Sequence, residues 1–331
     1  MYYDLPAEQL VAYRGTTSAP EDLDRFWADT LAEARRHPLA VTATPYPSGL
    51  RTIEVYDVVF PGFGGEPIRA WLRLPARTVR GDGLLPGVVQ FAGYGGGRGE
   101  AHEGLFWASA GFAHLQMDTR GQGAGWSKGT TPDAAGSAGP QVPGMMTRGV
   151  LDPQTYYYRR LITDAVRAVE AMRSLSGTGS APVDPERVAV LGMSQGGGLA
   201  LAVAALCPEV AAVVALVPFL SDFPRALNVT DAYPYREIAD FLSMQRGAVQ
   251  QVMQTLRYFD VVNLVPNASA PALFSVGLMD TTTPPSTVYA AYNTYAGPKE
   301  LTVWPFNQHE AGGAEDELAA LAFLRKQFAA D

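Results

Sequence analysis

Arg187-Val188-Ala189-Val190-Leu191-Gly192-Met193-Ser194-Gln195-Gly196-Gly197 carries a strand, a tight turn and the start of a helix within eleven residues. Residues 187–191 are short, β-branched and apolar, as a buried strand requires. Residues 197–207 are small, apolar and compatible with a helix. Between them Gly192-Met193-Ser194-Gln195-Gly196 reads as G-x-S-x-G, a nucleophile elbow. A serine in such a strand-to-helix turn is strained, and its hydroxyl projects from the end of the sheet. The glycines two positions either side let strand and helix approach closely. A serine so placed attacks an acyl bond and passes through a serine ester.

Outward from the elbow the chain alternates. An amphipathic helix is expected over 21–36, with Leu23, Phe26, Trp27 and Leu31 on one side. Two alternating runs, 52–60 and 68–74, flank the glycine-rich turn 61–67 and predict an antiparallel hairpin. Six further strands are expected at 87–91, 112–117, 187–191, 211–217, 272–278 and 301–304. Helical segments fall at roughly 101–110, 155–175, 195–206, 235–258, 284–296 and 314–329. Strands separated by helices pair in parallel, because parallel neighbours need crossover connections. The expectation is therefore an α/β-hydrolase fold: eight strands, mostly parallel, flanked by helices. The chain reads as one domain over 1–331, with an N-terminal helical extension over 1–50 and a long Gly/Pro-rich loop over 120–154.

Bulk properties narrow the function. The 331 residues suffice for a large core, and 47% hydrophobic with 18% charged residues is ordinary for a globular enzyme. The net charge of −8 and the lack of a basic run argue against nucleic-acid binding. No apolar stretch reaches the roughly 18 to 20 residues that span a membrane. No basic region followed by an apolar run opens the chain, so a cytoplasmic location is expected. The single cysteine, Cys207, excludes an internal disulfide and reads as a packed thiol.

A serine hydroxyl is a poor nucleophile unless a base takes its proton. Imidazole, with an ordinary pKa of roughly 6.5, suits that task. Of the four histidines, His37 ends the first helix and His114 lies inside a strand. His102 follows a glycine-rich loop, and His309 lies between the last strand and the last helix. That last loop is where the elbow's partner belongs, in the chain order serine, acid, histidine. The acid is expected at Asp280, just after the seventh strand, with Asp222 after the sixth as its rival. The threonines Thr281-Thr282-Thr283 could cap the next helix and leave Asp280 free. Oxyanion donors are expected from the backbone N–H of Gln195 and of Tyr94, in the loop Ala92-Gly93-Tyr94-Gly95-Gly96-Gly97-Arg98-Gly99.

Rival chemistries fit poorly. The glycine loop fails G-x-G-x-x-G, because Arg98 occupies the last glycine position. His309-Glu310 lacks the second histidine of H-E-x-x-H, and one cysteine cannot build a thiolate cluster. No metal or organic cofactor is expected. The aromatics Tyr94, Trp126 and Tyr233 either stack on a substrate ring or pack in core and interface.

Several ordered motifs together resemble carbohydrate esterase family 7, the acetyl xylan esterase and cephalosporin-C deacetylase group. They are Asp22-Leu23-Asp24-Arg25-Phe26-Trp27, Gln90-Phe91-Ala92-Gly93-Tyr94-Gly95-Gly96, Arg120-Gly121-Gln122, Ser194-Gln195-Gly196-Gly197 and His309-Glu310. The stretch from Arg148-Gly149 to Tyr156-Tyr157-Tyr158-Arg159-Arg160 is also similar. The resemblance runs nearly end to end. It implies removal of acetyl groups from sugar hydroxyls and similar small esters, with Ser194, Asp280 and His309 as nucleophile, acid and base. It also implies a ring-shaped hexamer, and bracing roles for Arg120 and Gln122. Met193 is bulkier than the glycine of that position in the group, which narrows the site and bears on acyl preference. A hydrolase of other specificity, for longer acyl esters or peptides, is the nearest rival. A non-catalytic scaffold that binds ligand is the next.

Overall fold

The computed structural model describes residues 2–134, 140–177 and 181–329. Its strands are β1 Thr42–Tyr46, β2 Ile53–Pro61, β3 Pro67–Pro75, β4 Leu85–Phe91, β5 Ala113–Met117, β6 Val183–Met193, β7 Ala212–Leu216, β8 Ala272–Gly277 and β9 Lys299–Trp304. They form one sheet in the order β1-β2-β3-β5-β4-β6-β7-β8-β9. The first three are antiparallel neighbours, and β3 lies antiparallel to β5. From β5 to β9 every pairing is parallel. This is the expected α/β-hydrolase sheet with one more strand, nine rather than eight. The extra strand, β1, lies in the 1–50 extension, which is therefore not wholly helical. Its sequence TATPY is largely exposed and contains Pro45, which only an edge strand tolerates.

Side chains alternate across the parallel strands. Val188 and Val190 of β6 enter one core, while Ala189 and Leu191 enter the other. The same split separates Val213 and Ala215 from Ala212 and Val214 on β7. Helices Tyr157–Ser174 and Gln195–Leu206 cover the first face. Helix Ala314–Phe328 covers the second through Ala320, Phe323, Leu324 and Phe328. Each large apolar side chain so buried contributes about 1.5–3 kcal/mol. The helix Leu23–Arg35 packs Phe26 and Trp27 edge-on against Phe259, and the Trp27 indole donates to the Tyr258 carbonyl.

Two expected helices differ in length. Over 101–110 only Phe106–Ser109 is α-helical, since Gly104 takes a left-handed φ of 60°. The 235–258 segment breaks into Tyr235–Met244 and Val249–Leu256 around a 3₁₀ turn, Arg246–Ala248, that contains Gly247. Of the 120–154 loop, residues 135–139 lie outside the described residues. The described part is pinned to the sheet. Buried Asp118 accepts the amides and hydroxyls of Thr130 and Thr131. Arg120 sits between Asp164, Glu66 and Asp133.

Candidate active site

The elbow lies at the end of β6, the strand paired with both β4 and β7. Ser194 has φ 57° and ψ −120°, a region that L-residues avoid. Three backbone bonds hold it there. Its N–H donates to the Leu216 carbonyl at 2.9 Å, and its carbonyl accepts from Phe219 at 2.9 Å and Gly198 at 3.0 Å. The flanking glycines are sterically required. A Cβ on Gly192 would strike the Gly196 carbonyl, and one on Gly196 would strike the Phe91 carbonyl. Gln195 opens the following helix, so its N–H has no acceptor within that helix.

Asp280 and His309 meet after β8 and β9. His309 Nδ1 lies 2.8 Å from Asp280 Oδ2. An ionised carboxylate oxygen only accepts, so Nδ1 is the donor in this bond, and in the neutral imidazole the lone pair then falls on Nε2. Asp280 is fully buried, and it also accepts the Thr282 and Thr283 amides and the Thr283 hydroxyl. Thr282 and Thr283 thus bind Asp280 itself, and Pro284 is the residue that precedes helix Pro285–Thr294. The histidine loop folds back because Gly277 leaves room: a Cβ there would run into the Asn307 and Gln308 carbonyls. The Met279 N–H donates to Asn307 at 3.0 Å, and Glu310 accepts from the Asn307 amide at 3.1 Å, which closes the loop.

The other candidates are occupied elsewhere. Asp222 is buried and accepts from Tyr13 and Thr16. His114 is fully buried with Nε2 against Gln90 at 2.9 Å, and burial followed by the Arg73 charge pushes its pKa down. His37 and His102 are exposed. Cys207 is buried beside Glu209, and burial pushes its thiol up to about 12. Among the described residues no group of three or more His, Cys, Asp or Glu is arranged to hold a metal.

A pocket of about 480 Å³ opens over the elbow, lined by Gly93, Tyr94, Trp126, Met193, Ser194, Tyr233, Pro234, Thr282 and His309. It gathers Ser194 and His309 with Tyr94, Trp126, Met193 and Tyr233. Trp126 and Tyr233 stand exposed at its mouth, and Met193 is 37% exposed. Tyr94 differs from them. Its hydroxyl donates to Glu237 at 2.7 Å and accepts the Met145 N–H, so that end of the ring is committed to the protein. Burial, then the Glu237 charge, pushes the phenol above its ordinary range, so it keeps the proton it donates.

The loop carrying Tyr94 is held to the elbow by Gln122. The Gly95 N–H donates to Gln122 Oε1 at 2.6 Å, and Gln122 Nε2 donates to Gln195 Oε1 at 2.9 Å. The Trp126 indole donates to the Tyr94 carbonyl at 2.8 Å. Tyr157 and Tyr158 reach the same cluster, through the Arg120 carbonyl and Gln195 Oε1. Sequence reasoning missed Glu237, Pro234 and Thr282. Only Glu237 left a signal: an acid within the buried set Tyr235, Ile238 and Phe241 of its helix.

Known proteins share this architecture. A family model described as acetyl xylan esterase (AXE1) matches residues 1–327. The acetyl xylan esterase of Paenibacillus sp. R4 is 37% identical with a TM-score of 0.89, covering 97% of this chain and 99% of that one. Acetyl xylan esterase 1 of Thermoanaerobacterium sp. JW/SL YS485 is 33% identical with a TM-score of 0.89, covering 99% and 100%. Acetyl esterase Axe7A of Xylanibacter ruminicola is 29% identical over 316 residues, which is 94% of this chain and 68% of that protein. A match along almost the whole chain makes it a carboxylic-ester hydrolase with the α/β-hydrolase fold, and it belongs to the acetyl xylan esterase family.

Proposed function

We propose that the enzyme removes acetyl groups from acetylated saccharides, xylo-oligosaccharides among them, and from similar small esters such as cephalosporin C. The observation that carries this reading is the 2.8 Å His309–Asp280 bond beside a pocket lined by both His309 and Ser194. Ser194 Oγ attacks the acetyl carbonyl carbon while His309 Nε2 takes its proton. The oxyanion accepts from the Tyr94 and Gln195 amides. Collapse breaks the bond to the sugar oxygen, and His309 returns the proton to it. The acetyl group then rests on Ser194. Water gives a proton to His309 and attacks that ester. Acetate leaves, and Ser194 recovers its hydrogen. Asp280 orients the imidazole and stabilises its cation without taking the proton.

Trp126 and Tyr233 offer the sugar ring two faces at the mouth, and Met193 narrows the acyl side. The family likeness supports one catalytic domain in a ring-shaped hexamer, which light scattering after size exclusion tests. The lone thiol of Cys207 suits a cytoplasmic setting. Among the described residues no helix is long and apolar enough to cross a membrane.

Ser194→Ala is the decisive variant. It is expected to lose on the order of 10⁶ in kcat for p-nitrophenyl acetate, as serine-triad nucleophile knockouts do. Retained acetate release from this variant overturns the scheme. Acetyl, butyryl and octanoyl esters with peptide anilides separate the deacetylase from a hydrolase of other specificity.

A further inference from the structure

We propose that Glu237 is a positioning residue for the oxyanion hole, acting on the Tyr94 amide through the Tyr94 hydroxyl. The inference rests on the reading of Tyr94 as an oxyanion donor. Glu237 lies in helix Tyr235–Met244, immediately after the pocket residues Tyr233 and Pro234. Its side chain is buried, with the residue 4% exposed. Its two oxygens lie 2.7 and 3.0 Å from the Tyr94 hydroxyl, and one also accepts the Met146 N–H at 3.0 Å. The Tyr94 hydroxyl in turn accepts the Met145 N–H. Four groups on three separate segments close into one hydrogen-bonded cycle.

Among the described residues Glu237 makes no ion pair. A buried carboxylate without a cation is costly, so hydrogen bonds must compensate it. A carboxylate accepts at both oxygens, which this site requires; a glutamine amide nitrogen would face the Met146 N–H or the hydroxyl with a second donor. Burial raises the Glu237 pKa, opposed by the Tyr94 hydroxyl and the two methionine amides.

The geometry reaches the amide through the Tyr94 Cα. The 94–95 peptide is held on both sides, its carbonyl by the Trp126 indole and its N–H by Gln122. The ring is held at its far end by Glu237. Two of the three heavy-atom bonds from the Cα are thereby anchored, and tetrahedral geometry sets the direction of the third, to the amide nitrogen. An oxyanion hole works by having its donors in place before charge develops.

The test is a double-mutant cycle of Tyr94→Phe and Glu237→Ala, assayed on p-nitrophenyl acetate with thermal melts alongside. Each single variant is expected to lower kcat by about tenfold with KM within about twofold, less than the loss of a donor itself. The double variant is expected to be no worse than either single, because both remove one link. Glu237→Gln, which still offers one acceptor to the hydroxyl, is expected to recover part of the loss. The rate at which a fluorophosphonate probe labels Ser194 is expected to fall in parallel. Unchanged kcat in either single variant overturns the role, as do additive losses in the double variant. A lowered melting temperature with full kcat shows support for the fold alone and also overturns it. If Glu237→Ala fails to fold, Tyr94→Phe decides by itself. An inactive Ser194→Ala beside a fully active Tyr94→Phe refutes this role and leaves the proposed function standing. An active Ser194→Ala removes both.

Discussion

Gln122 Nε2 donates to Gln195 Oε1 at 2.9 Å while the oxygen of the same amide accepts the Gly95 N–H at 2.6 Å. One side chain therefore joins the Tyr94 loop to the elbow. Its third bond, to the Tyr157 hydroxyl at 3.0 Å, ties both to the helix beneath. Gln122→Ala is expected to lower kcat for p-nitrophenyl acetate by roughly 10- to 100-fold, approaching the loss of a donor. Gln122→Glu keeps the acceptor for Gly95 but faces Gln195 Oε1 with a second acceptor. It is expected to fall between wild type and the alanine variant. Wild-type turnover in both variants refutes a link between loop and elbow.

Asp280 Oδ2 serves both His309 and the Thr283 hydroxyl. Asp280→Asn presents an amide that can turn N–H toward the imidazole and favour the wrong tautomer. A loss of about 10⁴ in kcat is expected, by analogy with the serine-protease case. Thr283→Val removes only a neighbour of the acid, and a loss of under about tenfold is expected. Steady-state kinetics on one chromogenic ester checks both. A Thr283→Val loss as deep as that of Asp280→Asn contradicts this division of roles.

Trp126 presents an exposed ring at the pocket mouth, with its indole N–H already spent on the Tyr94 carbonyl. Only its apolar face remains to meet substrate. For acetylated xylo-oligosaccharides Trp126→Ala is expected to lose about 1–2 kcal/mol of binding, seen mainly in KM. For p-nitrophenyl acetate, with no sugar to stack, the change in KM is expected to be smaller. Equal losses on both substrates argue that Trp126 supports the Tyr94 loop and not the sugar.

Asp133 receives Arg160 through two bonds of 2.9 and 2.8 Å, with Arg120 at 3.3 Å and Arg148 at 3.5 Å. Burial pushes its pKa up, but Arg160, Arg120 and Arg148 outweigh burial and hold it below the ordinary value. A depressed carboxylate stabilises the fold above its unfolded pKa of about 3.9 and loses that contribution as pH falls through the lower folded value. Asp133→Asn is expected to destabilise the protein by roughly 3 kcal/mol at pH 7. The gap to wild type is expected to narrow as the pH falls below about 4. Thermal melts across that range test it, and a constant gap contradicts the assignment.

Local rules carry a large share of the fold. β6 and the helix Gln195–Leu206 are legible because a short apolar strand and a run of small residues bracket the elbow. β1 is not, since an exposed strand with a proline lacks the alternation that marks a half-buried one. The break between helices Tyr235–Met244 and Val249–Leu256 is likewise hidden by a helical pattern that continues across it. Gly247, in the turn between them, is the one local sign of it.

The elbow and the parallel strands are legible in the chain alone, and so is the order of Ser194, Asp280 and His309 along it, because strand period, glycine spacing and chain order are local properties. Which groups meet is set by the packing of distant segments. Asp280 and His309 are 29 residues apart and touch because the histidine loop folds over Gly277. Tyr94 and Glu237 are 143 apart, and no spacing rule relates them. Gln122 joins two segments that pair only once β4 and β6 lie side by side. A buried polar group takes whichever partner packing brings within about 3 Å, and that is a property of the folded chain rather than of any stretch of it.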